Sequence, residues 1–187
     1  MKTYRNSERT KKWIRRAFTE LLAEKKSIDK ITVNELAKRA DITKTTFYYH
    51  YEDLYAVAEE FENELIDELN VTMDNIIKEN PSDYSLYFNK VLAFLKQHED
   101  NYRLAVNASE LDVFAGKLKV IFTRKMAVVG IQFGFSTDER KRLVQVFFFV
   151  NATVDTVIQY FRGELNVPIE VVGQVVTEAA EKLKRQD

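Results

Sequence analysis

Turn-forming residues are scarce in this sequence, which holds only five glycines and two prolines among its 187 residues. Folds built from β-strands need a tight turn every few residues, and glycine and proline supply many of them. Long helices need few turns, so this scarcity predicts an all-α fold. Hydrophobic residues make up 45% of the chain and charged residues 30%, which is ordinary for a soluble globular protein with a substantial core.

Apolar residues recur at helical spacing along the chain and predict about nine helices. Thr32 and Glu35 have the spacing of a capping box at the start of the second helix, and Thr43 can cap the third. The stretch Ser-Thr-Asp-Glu at residues 136–139 predicts a second capping box. The predicted helices cover residues 8–24, 32–39, 43–50, 52–78, 82–97, 100–108, 110–133, 138–163 and 168–185.

Charge divides the chain into a basic first part and an acidic remainder. Residues 1–55 hold thirteen Lys and Arg against eight Asp and Glu, whereas residues 56–187 hold fifteen against twenty-one. A basic head on an acidic body suggests that the head meets a polyanion, with chance clustering of solvated charges as the alternative. We predict a head of three helices over residues 1–53 and a larger helical bundle over residues 54–187.

Several function classes find no support in the sequence. Cysteine is absent, which excludes disulfides, zinc thiolates and cysteine nucleophiles. The two histidines, His50 and His98, belong to no Glu-x-x-His ligand set, and no P-loop occurs. We predict no catalytic site, metal or cofactor, and keep an all-helical enzyme as a remote alternative. The polar N-terminus and the short apolar runs predict neither a signal peptide nor a membrane span, and hence a cytoplasmic location.

Residues 43–51, Thr-Lys-Thr-Thr-Phe-Tyr-Tyr-His-Tyr, bring rings, hydroxyl groups and a cation together. On a helix turning about 100° per residue, an inward Phe47 places Thr43 and Tyr51 on or near the inner face. The outer groups donate hydrogen bonds to phosphate oxygens or base edges, which indicates the second helix of a helix-turn-helix. A plain helical hairpin, with its tyrosines packed on a neighbouring helix, is the alternative. The outer face consists of Lys44, Thr45, Tyr48 and Tyr49, flanked by Thr46 and His50.

The segment I-T-V-N-E-L-A-K-R-A-D-I-T-K-T-T-F-Y-Y-H-Y at residues 31–51 resembles the DNA-binding signature of the TetR family of bacterial transcriptional regulators. The rest of the chain is similar to that family only in length and helix count. The resemblance implies phosphate contacts from Thr32 and Thr43, and a base-facing role for Lys44, Thr45 and Tyr48. It further implies phosphate contacts from Thr46, Tyr49 and His50.

Four positions depart from the family pattern. Asp41 stands where the turn glycine is usual, and aspartate adopts a left-handed conformation less readily than glycine. Thr45 stands at a position where glycine is common, so we expect it to alter operator preference. Leu54 replaces a lysine that often opens the fourth helix, which removes one expected phosphate contact. Tyr51 in place of phenylalanine is a mild change.

Helix 138–163 is apolar on more than one side and must therefore be buried on two faces. The resemblance implies that it pairs with helix 168–185 and with the same two helices of a second copy in a dimer interface. An internal core of a monomer is the alternative. The predicted stripe consists of Leu143, Val146, Phe147, Val150, Val154, Val157, Ile158 and Phe161, widened by Val144, Phe148 and Phe149.

The resemblance also implies a small effector within the helical body, which the sparse polar residues there predict to be apolar. We therefore expect a homodimeric repressor that a small molecule releases from a palindromic operator in double-stranded DNA. The alternative keeps the DNA-binding head but places it under the control of a protein partner. The candidate effector-binding residues are Tyr102, Asn107, Phe114, Asn151 and Asp155.

Overall fold

The computed structural model describes residues 2–79, 83–108 and 113–183. All regular structure within these residues is helical, which confirms the predicted fold class. The described residues form nine α-helices and a 3-10 turn at Ile28–Lys30. The helices are α1 (Lys2–Lys25), α2 (Val33–Arg39), α3 (Lys44–His50), α4 (Leu54–Glu79), α5 (Tyr84–Gln97), α6 (Glu99–Ala108), α7 (Val113–Val129), α8 (Glu139–Arg162) and α9 (Ile169–Lys182).

Side-chain caps start the helices of the head close to where the sequence predicts. Thr32 Oγ1 accepts a hydrogen bond from the Glu35 amide at 3.2 Å, and Glu35 Oε2 accepts one from the Thr32 amide at 3.0 Å. This reciprocal pair is the predicted capping box. The fourth helix begins at Leu54, two residues later than predicted, because Asp53 Oδ1 accepts from the Ala56 amide and caps it.

The second predicted capping box is wrong. Asp138, not Ser136, caps α8, and its Oδ1 accepts from the Lys141 amide at 2.8 Å. Ser136 is buried, and its amide donates to Gln145 Oε1 at 2.9 Å, so this residue is anchored to the side of α8. The helix can begin only after that anchored residue, which moves the cap two positions along the chain.

Two helix lengths also differ from prediction. The first helix begins at Lys2 rather than at residue 8, and the seventh ends at Val129 rather than at residue 133. The α7 end is early because the Phe135 amide donates to the Gly130 carbonyl at 2.8 Å and folds the chain back. The predicted starts at 82 and 110 and the predicted end at 185 lie outside the described residues.

The core runs without a break from the head into the body, through α4. This helix packs against α1 in the head and against α5, α6 and α7 in the body. The predicted boundary between residues 53 and 54 therefore falls at the start of a shared helix and stays a prediction. Side chains with no exposed surface include Ile14, Phe18, Leu36 and Phe47 in the head and Leu69, Met73, Tyr87 and Tyr102 in the body.

The apolar residues of α8 lie on more than one side of the helix, as predicted, but the buried side differs from the predicted stripe. Leu143 and Phe147, assigned to the buried stripe, are exposed, whereas Phe149, which was expected only to widen the stripe, is buried. The reason is that the sequence is apolar on both sides of this helix, so periodicity alone does not identify the inner side. The buried residues of α8 are Val146, Phe149, Val150, Val154, Ile158, Tyr160 and Phe161.

Candidate nucleic-acid interface

The turn between α2 and α3 sets the angle at which the third helix leaves the second. Asp41 has a φ of 55°, in the left-handed region. The Ile42 amide donates to the Ala37 carbonyl at 2.9 Å and the Asp41 amide to the Lys38 carbonyl at 3.3 Å, the bonding pattern of a Schellman C-cap. Aspartate tolerates this conformation better than most residues, so the turn closes without the glycine that the family resemblance leads one to expect.

The two faces of α3 are sharply distinguished by burial. Phe47 has no exposed surface and Tyr51 is buried, while Tyr48 is 58% and Tyr49 79% exposed. Lys44 and Thr45 are also exposed, and Thr46 and His50 are half-buried at the flanks. The helical angles predict all of these placements. One side of this short helix therefore anchors it, and the other presents an ammonium, a hydroxyl and two phenols to solvent.

Thr43 is exposed, contrary to the expectation that it lies on or near the inner face. Its backbone is extended, with φ −84° and ψ 158°, because Thr43 is the N-cap of α3 rather than a helical residue. The spacing of 100° per residue therefore does not apply to it. Its Oγ1 accepts from the Thr46 amide at 3.0 Å, which fixes the start of the helix.

The threonine hydroxyls are already engaged within the head. Thr32 Oγ1 donates to Glu35 Oε2 at 2.9 Å, so a phosphate can take this proton only by displacing the carboxylate. The hydroxyls of Thr43 and Thr46 lie 2.9 Å apart and share one hydrogen bond. Because each hydroxyl carries one proton, that pair keeps a second proton available for an outside acceptor.

Several cations around the helix pair are matched by carboxylates. Arg39 lies 2.9 Å from Glu24 and 3.5 Å from Glu20, and Lys25 lies 2.6 Å from Glu35. The hydrogen bonds from Lys25 and Thr32 lower the pKa of Glu35 from 4.5 to about 2. Lys44 has no ion-pair partner among the residues that the structure describes. The positive charge at the exposed end of α3 is therefore uncompensated, as binding to a polyanion requires.

An ion-pair network fixes the head to α4. Glu60 accepts from Lys11 Nζ at 2.8 Å and from Arg15 Nη1 at 2.5 Å, and Arg15 also lies 2.9 Å from Glu64. The Lys11 ammonium lies 5.2 Å from the centre of the Tyr51 ring. Burial raises the pKa of the Tyr51 phenol, which stays neutral beneath these charges. The end of the candidate recognition helix is thereby fixed to the helix that enters the body.

Leu54, at the start of α4, is half-buried against the core.

The five predicted effector residues are not brought together. Tyr102 and Phe114 lie in the core with ring centroids 6.2 Å apart, and the Tyr102 hydroxyl donates to the Leu65 carbonyl at 3.1 Å. Asn107 lies in a separate cleft of about 300 Å³ where α1 meets α6 and α8. Asn151 donates to the Phe147 carbonyl of its own helix, and Asp155 pairs with Lys119 at 2.7 Å on the surface.

Two small apolar cavities lie between the helices of the body. Their volumes are about 30 Å³ and about 20 Å³, and Tyr102 lines the smaller one. Spaces of this size hold at most one or two waters, and their apolar linings do not favour water. An effector of drug-like size would therefore have to enlarge these two cavities in order to bind in them. The side chains shared by the two cavities are Leu95, Phe122, Thr153 and Val157.

An exposed apolar patch covers the outer faces of α8 and α9. Phe147 and Phe148 are 68% and 65% exposed, a degree of exposure that isolated globular surfaces seldom give to adjacent large side chains. In the described residues α8 is also the one helix long and apolar enough to cross a bilayer, a property that core helices of soluble proteins share. The patch consists of Leu143, Val144, Phe147 and Phe148 on α8 with Val171 and Val175 on α9.

Sequence reasoning missed two features of the head. The Arg9 guanidinium lies 4.5 Å from the centre of the exposed Trp13 ring, and the spacing of four residues could have indicated this pair. The Glu60 network had no local signal, because its partners lie more than 40 residues away in the sequence.

No protein-family model and no curated protein matches the sequence. Solved structures, however, are similar over almost the whole of both chains. A structure of NalD, the secondary repressor of the MexAB-OprM multidrug efflux pump in Pseudomonas aeruginosa, aligns with a TM-score of 0.66 and 15% identity, covering 98% of this chain and 99% of that chain. A second NalD structure gives 0.67 and 14%, covering 97% and 99%. A protein from Mesorhizobium loti assigned to the TetR family gives 0.60 and 14%, covering 95% and 96%.

Proposed function

We propose that this chain, which has the fold of TetR-family transcriptional regulators, is a sequence-specific DNA-binding regulator. The observation that carries the proposal is the difference in burial between the two faces of α3. Phe47 holds the helix from within, and an uncompensated lysine and two exposed phenols lie on the opposite face. An α-helix of this kind fits the major groove, where donors meet phosphate oxygens and base edges.

In this proposal the residues of the helix pair have one of two roles, contact with bases or contact with phosphates. Lys44, Thr45 and Tyr48 face base edges or the groove wall, because they lie on the first turns and on the outer face. The phosphate contacts along the edges of the groove come from Thr32, Thr43, Thr46, Tyr49 and His50. For Thr32 that contact competes with its bond to Glu35.

Two copies of the chain bind DNA together in this proposal, joined through the apolar patch on α8 and α9. Covering that patch removes from water two phenylalanines that the single chain leaves mostly exposed. Full burial of each such side chain stabilises an assembly by about 1.5–3 kcal/mol. The two recognition helices of a symmetric dimer reach half-sites roughly 34–36 Å apart, so the operator is palindromic.

The direction of control is repression, as in NalD, whose description names it a repressor. We propose that a small apolar effector joins the two body cavities by displacing the side chains that they share, and so changes the spacing of the two heads. The small volume of those cavities also favours the second candidate, control by a protein partner. Such a partner needs no cavity.

A regulator of this kind acts where the DNA is, so the proposal includes a cytoplasmic location. We assign no chemical reaction to the chain. The solved structures that resemble it are described as regulators rather than enzymes, which supports a non-enzymatic role.

Selection of bound duplexes from a random pool by the purified protein tests the proposal. We expect enrichment of a palindrome whose half-sites are centred one helical turn apart. A pool that stays random after repeated rounds, with protein that remains folded, contradicts sequence-specific binding. The genomic positions of the selected sequence then restrict the effector to molecules handled by the neighbouring genes.

A further inference from the structure

Trp13 on α1 is the single tryptophan of the chain, and 42% of its surface is exposed. The Arg9 guanidinium lies 4.5 Å from the centre of its ring, within the range of a cation–π contact. Stacking on the ring leaves the N–H groups of arginine free at the edge of the guanidinium plane, where they can donate to two oxygens of one phosphate. The pair therefore presents a preorganised donor outside α3.

The position of Trp13 follows from its neighbours along α1. Glu20 meets Arg39, the last residue of α2, while Trp13 shares a cleft of about 300 Å³ with Ala40 and Asp41 of the turn. Arg9 lies one helical turn beyond Trp13, about 6 Å further along the axis. Along α1, Glu20 thus lies at the end of α2 and Trp13 lies at the turn that leads into α3. Arg9 follows one helical turn closer to the N-terminus.

Charge distinguishes Arg9 from Arg16 and Arg39, the two arginines that line this cleft. Arg39 is bound by Glu24 and Glu20, and Arg16 lies 2.9 Å from Glu20. Arg9 has no carboxylate partner in the described part of the chain, a condition it shares with Lys44 on α3. Exposed cations without carboxylate partners thus occur on α1 as well as on α3, and such cations attract phosphates.

We propose that Arg9, held in place by Trp13, binds a DNA phosphate beside the half-site that α3 reads. The ligand is the phosphodiester backbone, so this contact adds affinity without reading sequence. The inference rests on the proposed DNA-binding function and extends the interface from the recognition helix to the first helix of the head.

Acrylamide quenching of tryptophan fluorescence in the full chain tests the proposal directly, because Trp13 is the sole emitter of its type. The probe is a 30-base-pair duplex that the protein selects from a random pool, and fluorescein anisotropy of a labelled copy measures binding independently. We expect saturation with the duplex to lower the quenching constant of Trp13 at least twofold. Full binding by anisotropy with unchanged quenching overturns this inference and leaves the proposed function intact. Absence of binding by anisotropy overturns both.

Substitution of Arg9 gives a second readout. Each lost phosphate contact lowers the slope of log affinity against log salt by about 0.9, so a dimer that loses two contacts should bind about 60-fold more weakly at 0.1 M salt. We expect this change in Arg9→Gln, and recovery of most of it in Arg9→Lys, which keeps the charge. Arg124→Gln is the matched control, since Arg124 is an exposed arginine on α7 in the body. An Arg9→Gln variant that is folded by circular dichroism and matches Arg124→Gln in affinity and slope overturns the proposal.

Discussion

The rings of Phe47 and Tyr48 meet edge to face, with centroids 5.3 Å apart and planes at 83°. Phe47 has no exposed surface, while Tyr48, the next residue, is 58% exposed. The buried Phe47 ring thus limits where the Tyr48 ring can lie. This ring contact does not involve the Tyr48 hydroxyl. A phenol held in this way can read a base edge at a low cost in side-chain entropy.

We predict that Tyr48→Ala changes sequence preference, whereas Tyr49→Ala weakens binding to all duplexes about equally. Tyr48 lies on the face assigned to the bases, and Tyr49, the more exposed of the two, lies at the edge assigned to the backbone. A lost base contact costs about 1–3 kcal/mol on the selected site alone. The measurement compares the affinity of each variant for the selected duplex and for a scrambled one. The opposite pattern would show that the two faces are assigned the wrong way round.

We expect Thr45 to give this protein an operator preference that differs from that of regulators with glycine at this position. Thr45→Gly should change the selected base at one position in each half-site, because it removes an exposed side chain from the groove face. The variant should also lose about 0.3 kcal/mol of stability, since glycine favours the helix slightly less than threonine does. Thr45→Ser keeps the hydroxyl and serves as the control. If the glycine variant selects an unchanged motif, Thr45 does not read DNA.

Phe147→Glu should dissociate the dimer by placing a charge in the centre of the apolar patch on α8 and α9. Phe147 is 68% exposed in the single chain, so the folded monomer can accept the change. Because two linked heads bind far more tightly than one, operator affinity should fall about 100-fold or more. Sedimentation velocity measures the assembly. Val71→Glu, a change at another exposed apolar position, on α4, is the control. A Phe147→Glu variant that remains dimeric would place the interface elsewhere.

Glu35 makes the stability of the head depend on pH. Hydrogen bonds from Lys25 and Thr32 lower the pKa of its carboxyl from 4.5 to about 2. Because the folded-state pKa lies below the unfolded value, the stabilisation is complete above pH 4.5 and is lost as the pH falls toward 2. Chemical denaturation of the wild type and of Glu35→Gln should therefore give a difference in free energy of unfolding that shrinks over this range. A difference that stays constant between pH 7 and pH 2 would exclude the carboxylate as its source.

Local chemistry explains which parts of the fold the sequence could predict. The capping box at Thr32 and the two faces of α3 depend on residues within a few positions of one another, and both predictions agree with the structure. The box predicted at Ser136 failed because a tertiary hydrogen bond to Gln145 holds that residue against α8. Spacing alone carries no information about such a contact.

Long-range packing explains what could not be predicted. The sequence of α8 is apolar on both sides, and only the positions of its neighbours show that Phe149 faces inward while Phe147 faces outward. The candidate effector residues are polar or aromatic groups in apolar surroundings. Such groups also serve as core and surface residues, which is where Tyr102 and Asp155 lie. Glu60 was missed because its cationic partners lie on another helix.

The salt dependence of binding to the selected duplex is the sharpest test of sequence-specific DNA binding by this protein. A dimer that neutralises six or more phosphates should lose about a thousandfold in affinity between 50 and 200 mM salt, through release of counterions. We predict this steep decline for the selected duplex, and tighter binding to it than to a scrambled duplex at every salt concentration. An affinity that stays flat across the salt series, or that is equal for the two duplexes, would contradict a role in sequence-specific DNA binding.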